Sequence, residues 1–129
     1  MIAVVDTEAG SFAVDLETEE VEPWDLELDP APVPVLNLPR LLAAAVAGAT
    51  VIAVVDARPP MLVSQDAGVT WRESGRGLPA GRAVAISEDD PDEAVYAARN
   101  RLYVTQDGGR FWRALAVELP EIRALELRT

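Results

Sequence analysis

Two short segments of this chain say nearly the same thing. Ser64-Gln65-Asp66-Ala67-Gly68-Val69-Thr70-Trp71 is echoed 41 residues later by Thr105-Gln106-Asp107-Gly108-Gly109-Arg110-Phe111-Trp112. Each shared position has a task in a tight turn. Gly68 and Gly109 supply a residue that tolerates positive φ. Asp66 and Asp107 carry short carboxylates that accept hydrogen bonds from nearby backbone N–H groups, and the hydroxyls of Ser64 and Thr105 do so more weakly. Thr70 and Phe111 occupy one position, and Trp71 and Trp112 open the outgoing strand and pack the turn against it.

Setting the two turns in register brings a third copy into view. Ile2-Ala3-Val4-Val5-Asp6 recurs identically as Ile52-Ala53-Val54-Val55-Asp56 and more loosely as Val95-Tyr96-Ala97-Ala98-Arg99. These β-rich runs bounded by turn residues predict strands. A second strand follows each: Ser11 to Leu16, Met61 to Ser64 and Leu102 to Thr105. In the first copy an acidic stretch without glycine leads to Trp24, so that turn is lost or rebuilt. After each Trp comes Leu-Pro (Leu38-Pro39, Leu78-Pro79, Leu119-Pro120) and then an Arg that opens a further strand: Arg40, Arg82 and Arg123. Trp to Arg is 11 residues in the two well-formed copies and 16 in the first, where Asp29 to Pro34 is inserted. The run Leu41 to Ala47 has high helix propensity, but the register makes it a strand equivalent to Ala83 to Ser87.

A period near 40 residues with four strands per repeat is that of a propeller blade, and the repeated turn resembles the Asp-box of the BNR repeat found in sialidase-like β-propellers. The resemblance implies an all-β fold of four-stranded blades, with the box joining the third strand of a blade to the fourth, on the side away from the usual active site. The boxes then read as structural. Blade 1 has its second to fourth strands at about 2–28, blade 2 covers about 40–75, blade 3 about 82–116, and a lone inner strand, 122–128, is left over. Three blades are too few for a closed ring, for which about 4–8 are usual. The expectation is a six-bladed ring made by a homodimer, each leftover strand completing its partner's first blade and removing exposed edges. The alternative is a fragment of a larger propeller.

Composition narrows the chemistry. The 129 residues are half apolar, enough for one domain with a core, and carry 22 acidic against 11 basic groups, a net charge of −11. That balance argues against nucleic acid or anionic membrane as the main partner. Every basic residue is Arg, and there is no Cys or His. Disulfides, thiolate or Ser-His-Asp catalysis, and Lys Schiff-base chemistry are excluded. No cofactor and no metal site is expected: Ser87 to Glu93 is acidic but lacks EF-hand spacing. Residues 1–6 lack the features of a signal peptide and the longest apolar run is too short to span a bilayer, so a cytoplasmic protein is expected.

Candidate ligand residues follow from the resemblance, which puts ligands on the face formed by the inter-blade connections and the loops between second and third strands. Arg40, Arg82 and Arg123 would form a ring around the channel suited to a carboxylate or phosphate; the alternative is that each pairs with an acidic neighbour. Asp6, Asp56 and Arg99 end the second strands. Asp6 and Asp56 are the one carboxylate pair with a reason to converge, but as blade equivalents they should lie apart. Arg58 and Arg101 sit in the adjoining loops. Sialidases of this superfamily need an Arg triad, a Tyr nucleophile with a Glu partner and an acidic donor. Tyr96 and Tyr103 fall on repeat strands with no such motif around them. The reading is a non-catalytic binding or scaffold propeller recognising a protein partner or small anionic ligand, with a carbohydrate-binding or glycosidase-like module as the alternative.

Overall fold

The computed structural model describes residues 1–28, 34 and 36–128. Most of the Asp29 to Pro34 insertion lies outside the described residues. Among these residues, twelve strands build three four-stranded antiparallel sheets. The first holds β1 (Ile2–Thr7), β2 (Gly10–Asp15), β3 (Val21–Pro23) and β12 (Ile122–Arg128); the second holds β4 (Leu41–Ala47), β5 (Thr50–Val55), β6 (Met61–Ser64) and β7 (Arg72–Ser74); the third holds β8 (Ala83–Ile86), β9 (Ala94–Ala98), β10 (Arg101–Thr105) and β11 (Arg113–Ala114). The run from Leu41 to Ala47 is a strand, because pairing with β5 across Val46↔Val51 and Ala44↔Ala53 outweighs local propensity.

The leftover strand does not leave its chain. β12 pairs with β1 of the same molecule, from Ile2↔Arg128 to Val5↔Leu125, with a bulge at Asp6/Thr7. The expectation that a partner supplies this strand is corrected: the first sheet is completed from within, and β1 keeps no open edge.

Side-chain alternation explains how the sheets stack. β8 lies between β4 and β12 and packs along both. Val84, Ile86, Ala94 and Tyr96 face the second sheet with Ile52, Val54, Met61 and Val63. The alternate residues Ala83, Val95, Ala97 and Leu102 face the first sheet with Ala3, Val5, Val14, Ile122 and Leu125. The inner half of the third sheet is therefore buried on both faces, and its strands β8 and β9 read as continuous apolar runs. Each fully buried Ile or Leu contributes about 1.5–3 kcal/mol.

The first copy's turn is rebuilt. Val14 opposes Val21 as Val63 opposes Arg72 and Val104 opposes Arg113. This register gives the first turn two residues fewer than the other two and puts Glu20, not Trp24, at the Trp position. Asp15 replaces the hydroxyl residue, its Oδ1 accepting the amides of Glu17 (2.9 Å) and Thr18 (3.1 Å). Trp24 follows β3, where its amide bonds Ser11 O and the Arg128 guanidinium lies over its ring.

Candidate functional site

The two well-formed turns are closed hydrogen-bond units. Ser64 Oγ donates to Asp66 Oδ1 (2.7 Å) and accepts the Gly68 amide (2.8 Å), while Asp66 accepts the Thr70 amide (2.8 Å) and hydroxyl (2.5 Å). Thr105, Asp107 and Gly109 repeat this, with the amides of Arg110 and Phe111 on Asp107 Oδ1. Gly68 and Gly109 have φ of 90° and 85°. These bonds favour the ionised carboxylate: the Thr70 hydroxyl, then its amide, hold Asp66 down to about 2, and the Phe111 amide holds Asp107 below its usual value. A depressed folded pKa gives stability that is present above the ordinary value of 3.8 and is lost as pH falls through about 2. Thr70→Ala should therefore move the Asp66 titration upward and start the acid-unfolding limb at higher pH. Carboxyl NMR titration with acid melts would show this, and an unmoved Asp66 would refute it.

The turns also clasp neighbouring sheets. Arg72 donates to Gly108 O, Ser74 Oγ donates to Gly109 O at 2.5 Å, and Trp112 Nε1 donates to Ser74 Oγ at 2.9 Å. The rebuilt first turn does the same with other chemistry: Glu19 Oε1 accepts the amides of Ala116 (2.6 Å) and Val117 (3.3 Å).

The opposite rim gathers the candidate ligand residues. Backbone bonds tie its loops together: Asp56 N to Arg40 O, Arg82 N to Ala97 O, Ile122 N to Arg99 O and Leu119 N to Asn100 O. Arg82 pairs with Glu121 at 3.8 Å and Arg101 with Glu118 at 2.9 Å, both pairs partly exposed and so worth little. Arg40, Arg58, Arg99 and Arg123 are exposed and make no ion pair among the described residues. Asp6 lies on β1 of the first sheet and Asp56 just past β5 of the second, and Asp6 accepts the Ser11 hydroxyl at 3.3 Å.

Two concavities open here. One, of about 560 Å³, runs along the inner strands β4, β8 and β12 and takes in Arg82 and Arg123 but not Arg40. No aromatic side chain among the described residues lines it. The other, of about 540 Å³, is walled by Pro59, Leu78 and Pro79 and brings Arg58 beside Arg76, with Glu73 at its edge. Arg76 was not legible as a site residue, because its role depends on the Arg58 loop folding over the Gly75 to Pro79 connection. Its one sequence signal is its place between two glycines, Gly75 and Gly77, both at positive φ.

No protein-family model matches the chain, and no curated protein matches it. Solved structures do. A structure of YCF48 bound to D1 peptide superposes with a TM-score of 0.53 over 92% of this chain, at 22% identity. YCF48 from Cyanidioschyzon merolae (22% identity over 89%) and a GH74 enzyme from Niastella koreensis (19% over 92%) each give 0.47. The chain spans 37%, 33% and 18% of the lengths of those three chains. The likeness is one of fold: three four-stranded sheets form a partial β-propeller.

Proposed function

We propose that this chain is a non-catalytic binding propeller, completed to a ring by a second copy, that recognises an acidic segment of a protein partner or a small anionic ligand on its arginine-bearing rim. The observation that carries this is charge placement. In a protein of net charge −11, five exposed arginines without ion pairs among the described residues, Arg40, Arg58, Arg76, Arg99 and Arg123, lie at one end of the sheets, two of them, Arg58 and Arg76, in one concavity, while Arg110 and Arg113 lie among the acidic residues of the other end. The opposite end carries Asp66, Glu88, Asp89, Asp90, Asp92 and Asp107. Guanidinium groups suit bidentate capture of carboxylates. The peptide held by YCF48 in the structure compared above is in keeping with a protein-binding role. The turn geometry supports the resemblance to BNR repeats, since the shared hydroxyls and carboxylates of Ser64, Asp66, Thr105 and Asp107 bond within the turn. Tyr96 supports the non-catalytic reading: it is sealed from solvent, its hydroxyl donating to Pro79 O at 2.6 Å and its pKa pushed up chiefly by burial.

Calorimetric titration with a polyglutamate peptide and with citrate tests the rim. Arg58→Ala with Arg76→Ala should weaken binding about tenfold or more, from charge-assisted bonds worth about 1.5–3 kcal/mol each, and added salt should weaken the unmodified protein's binding too. Equal affinity of variant and parent for both ligands would overturn the rim assignment, and a monomer by light scattering would overturn the ring.

A further inference from the structure

The row of sheets runs second, third, first, and both of its internal seams are built alike: the turn of one sheet seats on the outer strand of the sheet before it, or on the residues that follow that strand. The ends of the row hold the two unmatched halves of such a seam. At one end, the 65–71 turn is formed as completely as its 106–112 counterpart, yet no sheet precedes it. At the other, β3 receives no turn among the described residues. Trp24, next to β3, has a buried indole Nε1 that finds no hydrogen-bond partner among the described residues, whereas the Trp112 indole is satisfied across its seam by Ser74.

Most apolar exposure falls on the same two ends. Of the five large hydrophobic side chains left exposed among the described residues, Leu26 (64%) follows β3, Leu42 (55%) and Val46 (46%) lie on β4, and Val69 (79%) caps the 65–71 turn; the fifth, Phe111 (71%), lies on the 106–112 turn of an internal seam. Val46 is the counterpart of Ile86, which the seam between second and third sheets buries to 8%. Each end thus complements the other end of an identical molecule, and the channel wall of β4, β8 and β12 is only half a ring without it.

We infer that a second copy closes this side head to tail, the 65–71 turn of each chain seating on β3 and beside Trp24 of the other, while β12 stays in its own chain. This rests on the homodimer reading above and says where its seam lies. Because the chain has no cysteine, the seam can be tested by cross-linking. Val69→Cys and Glu22→Cys, both at exposed positions, are prepared as separate variants, mixed after unfolding and refolding together, and treated with a short bismaleimide. The mixture should yield a covalent dimer on a denaturing gel, and neither variant alone should, since a head-to-tail contact keeps each residue away from its own copy. A light-scattering dimer whose mixture does not cross-link would overturn the seam while leaving the homodimer intact, as would a dimer cross-linked by one variant alone. A monomer would remove the homodimer reading itself. A double variant that cross-links only within one chain would put the second sheet against the first of its own chain, and would overturn the retained β12.

Discussion

Gly81→Ala should lower the unfolding midpoint by about 10 °C. A Cβ on Gly81 would lie 2.2 Å from Cε1 and Cζ of Tyr96, far inside contact distance. Tyr96 cannot step aside at little cost: it is fully buried between the second and third sheets, packs against Tyr103 and Trp112, and donates its hydroxyl to Pro79 O. Overpacking costs about 1–3 kcal/mol and the displaced hydroxyl about 1 kcal/mol more, which together give that shift for a domain of this size. The clash makes a second, sharper expectation. Tyr96→Ala alone should cost about 3–5 kcal/mol, but in the Gly81→Ala background it should cost clearly less, because the added methyl then meets empty space. Strict additivity in a four-way melt comparison would show that the two residues do not compete for the same volume.

A chain ending at Glu121 should fail to give a cooperative melt. Removing β12 withdraws Ile122 and Leu125 from the core shared with the third sheet, about 3–6 kcal/mol for two such side chains, against a total stability of about 5–15 kcal/mol for a typical domain. It also bares the inner edge of β1, a row of unpaired backbone groups prone to pair between molecules. Sedimentation should therefore show aggregation, and a synthetic peptide of residues 120–129 supplied during refolding should restore part of the native signal. A truncated chain that melts like the parent would mean that β12 contributes little to the first sheet.

Much of the architecture could be read from residue spacing because a blade's strands are short, regular and punctuated. The Leu-Pro and Arg after each Trp set the inner strands, including Leu41 to Ala47 against its own propensity. The same punctuation misled once. Trp24 looks like the third anchoring Trp, but the first turn is shorter by two residues and Asp15 does the work of the missing hydroxyl, so equal spacing no longer meant equal position. Two further features were out of reach for a different reason. Whether β12 returns to its own β1 depends on the path of the chain, whereas its alternation of apolar residues suits any first sheet. The meeting of Arg58 with Arg76 depends on how two connections fold over one another, and neither connection has a periodic pattern to read.

The pairing of Ile2 with Arg128 bears on the order in which the molecule is made. Every other strand pair joins elements that are neighbours along the chain and can zip as soon as both have left the ribosome. β1 must wait for β12, some 120 residues later. Closing so long a loop is slow, and contacts this distant form late. Of the three sheets, the one begun first is therefore the one finished last, and for that interval the nascent chain carries an uncovered strand edge that a chaperone, or a neighbouring nascent chain, can reach before its own β12 does.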